Sequence, residues 1–113
     1  MTSVEENVTH FHVLLLESID ETITALLSRS VVDALYVNLQ KFHSISRNEV
    51  PYRLDTLLTI LEKIFGASSQ TITRAIARKF YLKLGLEFTC NPSRTLLEYV
   101  DEAKMKLQKS SSN

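Results

Sequence analysis

The amino-acid sequence predicts an all-α protein: a compact bundle of about five helices in a single domain. The chain has 113 residues, which is the length of one domain. Apolar residues make up 44% of it and charged residues 23%, as in folded globular proteins rather than disordered chains. Two glycines and two prolines are too few for the many turns of an all-β sandwich or barrel. Helical periodicity accounts for most of the remaining sequence.

The first predicted helix runs to about residue 27. Two starting points are open, one near residue 4 and one near residue 13. Ser3 and Glu6 have the spacing of a capping box, which favours the early start. The stretch 8–13 alternates in a manner that also suits a strand, which favours the later one. The predicted core-facing stripe consists of Leu15, Leu16, Ile19, Ile23, Leu26 and Leu27.

A second helix is predicted from Ser30, which forms another capping-box-like pair with Asp33. Its predicted buried face consists of Val32, Leu35, Tyr36, Leu39 and Phe42. The longest break in the pattern follows, where we expect Pro51 to restrict Val50 to extended backbone.

The third helix has the clearest apolar stripe in the chain. Gly66 follows it, where a left-handed C-terminal cap favours glycine. The predicted buried residues of this helix are Leu54, Leu57, Leu58, Leu61, Ile64 and Phe65.

Two further helices complete the predicted bundle. Ser68 is the predicted N-cap of the fourth, and Gly85 ends it. Asn91 and Pro92 have the residue types of an N-cap and a first helical position, so we expect the fifth helix to begin there. The predicted apolar faces are Ile72, Ile76, Phe80 and Leu84 for the fourth helix, and Leu96, Leu97, Val100, Ala103 and Leu107 for the fifth. The domain is predicted to span residues 1–109, with a frayed tail over residues 110–113.

Charge is balanced overall but unevenly distributed. Residues 1–65 carry five basic and nine acidic side chains, whereas residues 66–113 carry eight basic and four acidic ones. Two interpretations are open. The two halves attract each other within one fold, or the basic end meets nucleic acid or the acidic half of a second copy.

The sequence contains no pattern typical of a catalytic, cofactor or metal site. A glycine-rich phosphate loop is absent. His10, His12 and Cys90 lack the paired spacings of a zinc site. Cys90 also has no charged neighbour in sequence that would activate its thiol. We therefore expect no enzyme, no cofactor and no bound metal, and a small hydrolase or metalloprotein is the least favoured class.

Location is predicted from three absences in the sequence. The longest apolar run, residues 13–16, is far too short to cross a membrane. Glu5 and Glu6 stand where a signal peptide would be basic. A single cysteine, Cys90, cannot form an internal disulfide. We expect a cytoplasmic protein that makes no contact with membranes.

One local segment resembles the turn and second helix of a helix-turn-helix DNA-binding unit, which would span about residues 58–78. Gly66 would form the turn, and polar side chains of the following helix would face a DNA groove. Glu62 departs from the pattern, because a small residue is usual there for close packing. The alternative is that Gly66 only caps one helix and Ser68 starts its antiparallel neighbour. The candidate nucleic-acid-binding residues are Ser69, Gln70, Thr73, Arg74 and Arg78.

A wider resemblance covers about two-thirds of the chain, roughly residues 15–87. Its most particular pieces are Val-Pro-Tyr at 50–52 and Glu-Lys-Ile-Phe-Gly at 62–66. The other matching segments are 19–21, 34–42 and 79–85. Together these segments resemble the Nitrosopumilus output domain, a small helical domain of ammonia-oxidising and related archaea.

This resemblance implies a compact α-helical module that occurs alone or joined to sensory and signalling domains. Such a module is expected to pass a signal to a partner, and it has no established activity, cofactor or functional residues. The segment 68–73 is more polar here than is usual for the family. That departure suits either a DNA-contacting face or a more exposed helix.

We therefore predict a non-enzymatic protein-interaction or output module of archaeal signalling or regulation. It would act by burying a helix face against a protein partner or against a second copy in a homodimer. The first and last helices are the expected interface, since Leu14, with Phe11 or Val13, lies partly off the main stripe of the first helix. The alternative prediction is a DNA-binding transcriptional regulator that uses the helix-turn-helix-like unit.

Overall fold

The computed structural model describes the backbone of residues 3–111 and the side chains of residues 10–108. Within that part the chain forms five α-helices and two short 3₁₀ helices, and no strand. The α-helices are α1 (Ser3–Leu26), α2 (Arg29–His43), α3 (Leu54–Phe65), α4 (Ser69–Leu84) and α5 (Leu96–Ser111). The 3₁₀ helices are Arg47–Tyr52 and Gly66–Ser68. The predicted all-α bundle of five helices is confirmed.

The centre of the bundle is the pair α1 and α4, which pack along each other. The rings of Phe11 and Phe80 meet edge to face across this pair, with centroids 5.0 Å apart, an arrangement that aromatic side chains favour. The side chains that are no more than 1% exposed along this seam are Leu15, Ile19, Ile23, Ile76, Ala77 and Phe80. Such complete burial of apolar side chains supplies most of the stability of the pair.

Ion pairs run beside the same seam. Lys83 Nζ lies 3.1 Å from Glu21 Oε2 and 3.8 Å from Glu17 Oε1. Lys79 Nζ lies 3.6 Å from Glu21 Oε1. The acidic first half of the chain and the basic second half therefore meet within the fold, as the first interpretation of the charge distribution proposed.

The remaining elements are arranged around this central pair. The helix α2 packs against α1, whereas α3 and α5 pack against α4 and also against each other. The 3₁₀ segment 47–52 lies on α1 and leads into α3. No helix within residues 3–111 has both the length and the apolar character needed to span a membrane.

A polar contact ties α2 and the 3₁₀ segment to α1. The Asp20 carboxylate on α1 accepts hydrogen bonds from the Tyr36 hydroxyl on α2 and from the Arg47 guanidinium. Burial raises the pKa of the Tyr36 phenol above its ordinary value, and the hydrogen bond to Asp20 raises it further. One carboxylate on α1 thus positions two separate segments of the chain.

The starts of α2 and α5 differ from the sequence-based expectation, and the start of α1 decides between its two alternatives. The helix α1 begins at Ser3, so the earlier start holds and residues 8–13 are helical; the side chains of Ser3 and Glu6 lie outside the described side chains. The helix α2 is capped by Ser28 rather than Ser30, because the Val31 N–H donates to Ser28 Oγ at 3.2 Å.

The start of α5 was predicted wrongly. It begins at Leu96, and Thr95 forms the capping box: the Thr95 N–H donates to Glu98 Oε1 at 2.8 Å, and the Glu98 N–H donates to Thr95 Oγ1 at 3.3 Å. Asn91 closes a local turn instead, accepting from the Ser93 N–H at 3.1 Å. Residues 91–95 are therefore a connection against the bundle, and α5 continues to Ser111, two residues into the predicted frayed tail 110–113, of which residues 112–113 lie outside the described residues.

The predicted apolar stripes are mostly buried, with exceptions that fall at helix ends and outer faces. Phe42 is 67% exposed and Ile64 is 55% exposed, although both were expected in the core. Periodicity locates the apolar face of a helix but not the extent to which neighbours cover it. The other expected core residues that are exposed are Leu26, Leu27 and Leu97.

The buried phenol of Tyr81 is expected to make the free energy of unfolding fall at alkaline pH. The Tyr81 hydroxyl donates to the Tyr99 carbonyl at 2.6 Å, and burial raises the pKa of Tyr81 to about 12. A tyrosine in an unfolded chain has a pKa of about 10. The unfolded state therefore loses this proton first, so the contribution of Tyr81 to stability is full below about pH 10 and lost as the pH rises towards about 12.

We expect the free energy of unfolding of the wild type to fall more steeply above about pH 10 than that of Tyr81→Phe, by at most about 1.4 kcal/mol per pH unit. Denaturant titrations followed by circular dichroism across this range measure both slopes. Tyr52→Phe, at an exposed tyrosine, is the matched control and should keep the wild-type slope. Equal slopes for wild type and Tyr81→Phe would contradict the assignment.

Candidate functional site

An open apolar cleft separates α2 from α3, and we call it the α2–α3 cleft. Its volume is about 380 Å³. Two large exposed side chains, Phe42 from α2 and Ile64 from α3, stand on opposite sides of it. The buried side chain of Ile60 also lines it. The remaining lining residues are Asn38, His43, Thr59 and Lys63.

The path of the chain explains why the cleft stays open. The helix α2 ends at His43, and its C-cap residue Ser44 has a left-handed backbone with φ of 55°. Ile45 then turns into the core, and its N–H donates to the Leu39 carbonyl at 3.1 Å. Residues 47–52 follow along α1 before α3 begins. Because α2 is held by α1 and α3 by α4 and α5, neither helix covers the facing side of the other.

The rim of the cleft is basic. Lys63 and His43 line it, and no carboxylate does. The Lys41 ammonium lies beside Phe42, 5.6 Å from the centroid of its ring. These three residues stand in the last turns of α2 and α3. The cleft thus combines an apolar lining with a positively charged edge.

A second cavity, more polar and smaller, lies where α3, α4 and the start of α5 meet; we call it the Arg74 cavity. Its volume is about 190 Å³. Residues 92–95 form one wall, and the start of α4 forms another. Leu58, Leu96 and Tyr99 supply apolar surface. Glu62 on α3 supplies a carboxylate.

Four of the five predicted nucleic-acid-binding residues gather in this cavity: Ser69, Gln70, Thr73 and Arg74 all line it. Arg78 does not line it, and its guanidinium lies 5.9 Å from the centroid of the Phe88 ring. Ser69 was expected on an open surface, but it is only 6% exposed. Because residues 92–95 form the facing wall, this side of α4 lines a cavity rather than a free helix face.

An ion pair stiffens the wall opposite α4. Arg94 pairs with Glu102 on α5, and this hydrogen bond raises the pKa of Arg94 and lowers that of Glu102. Lys106 Nζ also lies 3.8 Å from Glu102 Oε1. By contrast, the side chain of Arg74 forms no ion pair or hydrogen bond with any residue in the described part of the chain. The two arginines of the cavity therefore differ, since only Arg94 is already paired.

The interface expected on the first helix is only partly exposed. Phe11 is 4% exposed and belongs to the core. Leu14 is partly buried and packs against the core. Val13 is 45% exposed. A single exposed valine is ordinary on a protein surface, so the three residues named for this interface do not form an exposed apolar patch.

His12 and Cys90 lie in different segments of the chain and have different surroundings. His12 stacks on Tyr52 with ring centroids 4.1 Å apart, whereas Cys90 is exposed in the connection before α5. Among the described side chains, no three of the residue types His, Cys, Asp and Glu are grouped so that they could hold a metal ion.

No family model matches the chain, and neither the curated proteins nor the solved structures contain a match. The resemblance to the Nitrosopumilus output domain therefore stays a prediction.

Sequence reasoning missed the α2–α3 cleft because it assigned both of its exposed residues to the core. A weak indication was present: Phe42 lies between Lys41 and His43, and Ile64 follows Lys63, each at the end of a helix. Basic residues on both sides of an apolar one indicate that the segment is leaving the core. The Arg74 cavity was missed because residues 91–95 were expected to be helical.

The exposure of Phe42 predicts a sharp contrast within one turn of α2. We expect Phe42→Ser to change the free energy of unfolding by less than about 0.5 kcal/mol, because the side chain is mostly solvated already. Leu39→Ala, which removes a fully buried side chain, should cost about 2–5 kcal/mol. Thermal and urea denaturation compare the two variants. A loss for Phe42→Ser as large as that for Leu39→Ala would place Phe42 in the core.

Proposed function

We propose that the protein is a non-enzymatic interaction module that binds an amphipathic helix of a protein partner in the α2–α3 cleft. One observation carries the proposal: two large apolar side chains, Phe42 and Ile64, are exposed on opposite sides of a cleft that a buried isoleucine also lines. Helix-in-groove recognition uses such clefts, into which apolar residues at three- and four-residue spacing insert.

The charge of the rim defines the partner further. His43 and Lys63 line the opening, Lys41 lies beside Phe42, and no carboxylate is among the lining residues. Complementary charge favours a helix that carries acidic residues beside its apolar stripe. Such a helix would bury Phe42 and Ile64 and place its carboxylates near the basic rim.

Signalling output in archaea is the setting that we propose for this binding. The support is the resemblance of residues 15–87 to the Nitrosopumilus output domain, which implies a module that passes a signal to a partner. A cytoplasmic location and the absence of enzymatic activity belong to the same proposal.

The alternative proposal, a DNA-binding regulator, has less support. Its candidate residues include the buried Ser69, and Arg74 lies in a cavity with residues 92–95 on the other side. A major-groove contact needs an open helix face. Among the five candidates, only Gln70 and Arg78 are exposed.

Selection from a library of helical peptides tests the proposed function. Peptides randomised on one helical scaffold would be selected on the wild-type protein and sequenced. We expect apolar residues at positions i, i+3 or i+4 and i+7, flanked by acidic residues, because the cleft is apolar and its rim basic. The selected peptides should bind the Phe42→Ser/Ile64→Ser variant at least about tenfold more weakly, a loss of about 1.4 kcal/mol or more.

Val37→Ser is the matched control, because Val37 is an exposed apolar residue of α2 that does not line the cleft. This variant should bind the selected peptides like the wild type. Equal binding by the Phe42→Ser/Ile64→Ser variant, or no enrichment of helical peptides at all, would contradict the proposed function. A wild-type dimer that the same two substitutions dissociate would assign the cleft to a second copy instead.

A further inference from the structure

A serine hydroxyl that has no hydrogen-bond partner in the described part of the chain opens onto the Arg74 cavity. Ser69 lines this cavity and is only 6% exposed. Its side chain forms no hydrogen bond with any described residue. Every fully occluded side-chain nitrogen or oxygen among those residues has a partner, so the Ser69 oxygen is reached from the cavity. A hydroxyl that opens onto the cavity and has no protein partner is available to donate a hydrogen bond to a ligand bound there.

The cavity also contains a guanidinium that forms no ion pair among the described residues. Arg74 is partly buried, lines the cavity and pairs with no carboxylate in the described part of the chain. The neighbouring Arg94 is already paired with Glu102. The guanidinium of Arg74 therefore retains its full set of donors for a ligand, in a geometry that suits two oxygens of one anion.

The N-terminus of α4 adds to this positive potential. Ser68 makes no side-chain cap bond there, and the first turn contains no acidic residue. The Ser69 N–H already donates to the Gly66 and Ala67 carbonyls of the preceding 3₁₀ turn, but no acidic side chain of this first turn compensates the partial positive charge of the helix end. The start of α5 differs, since Glu98 already accepts the Thr95 N–H in its capping box. Of the two helix ends at the cavity, α4 is the one that can still favour an anion.

From these observations we infer that the Arg74 cavity binds the phosphate group of a small molecule. Arg74 and Ser69 would donate to its oxygens at the start of α4, and Gln70 and Thr73 line the same side. The volume of about 190 Å³ exceeds the roughly 150 Å³ that hold a benzene ring in an engineered cavity. Phosphate with a small organic substituent therefore fits.

The opposite walls define the rest of the ligand. Leu58, Leu96 and Tyr99 offer apolar surface to an organic substituent. Glu62 places one carboxylate at the cavity, which opposes an anion. We therefore expect Glu62→Gln to tighten phosphate binding about two- to fivefold, because one repulsive charge is removed. This inference is independent of the proposed function, since the two openings share no lining residue.

Titration of the full chain with inorganic phosphate, followed by two-dimensional ¹⁵N NMR, tests the inference. Chloride at matched ionic strength is the reference. We expect saturable shifts confined to the amides around residues 69–74 and 93–97. Arg74→Gln should weaken binding about tenfold or more, because a charge-assisted hydrogen bond is lost. Arg78→Gln, one turn further along α4 and outside the cavity, is the control and should bind like the wild type.

Ser69→Ala separates ligand binding from a structural role. We expect this variant to keep about the wild-type stability without phosphate, because the Ser69 hydroxyl forms no hydrogen bond within the described part of the chain, and to bind phosphate more weakly. If Ser69→Ala is instead destabilised and binds phosphate normally, the hydroxyl is structural and the inference fails.

The source of the phosphate is distinguished by two further probes. Tighter binding of phenyl phosphate than of inorganic phosphate supports a small organic ligand, and equal binding supports the free ion. Shifts that chloride reproduces, or that persist in Arg74→Gln, overturn the inference. So does binding of duplex DNA that depends on Arg74 and Arg78 without any effect of phosphate, which would favour the DNA-binding alternative. None of these outcomes alters the peptide selection on the α2–α3 cleft.

Discussion

The packing of α1 against α4 is the contact on which the rest of the structure depends. The two helices share a seam of fully buried apolar side chains, closed at one place by the edge-to-face contact of Phe11 and Phe80. Lys79 and Lys83 on α4 reach the acidic residues of α1 beside it. Hydrophobic burial supplies the larger stabilisation, because exposed ion pairs contribute little. The charges help to fix which faces meet.

The α2–α3 cleft and the Arg74 cavity both follow from this central pair. The helix α2 is attached to α1 through the Asp20–Tyr36 contact and its own apolar face. The helices α3 and α5 are attached to α4. Two outer helices that rest on different central helices need not meet, and the α2–α3 cleft is the space between them. The Arg74 cavity forms where α3 and the start of α5 meet α4, and residues 92–95 of the connection close one side.

Much of the fold was accessible from the sequence, because burial imposes a period of 3.6 residues on each helix. The all-α class and the core positions on α1 and α4 followed from that period. The start of α5 was misplaced because two capping signals lie close together in the sequence. Thr95 and Glu98 form a complete capping box, so α5 starts there and not at Pro92. The exposure of Phe42 and Ile64 depends on which helix lies opposite. Periodicity within one segment carries no information about that, so the cleft could not be predicted.

The helices α1 and α4 hold α2 and α3 apart and leave the cleft open to solvent. Paramagnetic relaxation by a soluble gadolinium chelate, measured on side-chain protons of the dilute protein, tests this directly. We expect strong relaxation for the Phe42 ring and the Ile64 methyl groups, and protection of the buried side chains of Leu39 and Ile60. Equal protection of Phe42, Ile64 and Leu39 would contradict it, because α2 and α3 would then pack together and no cleft would exist.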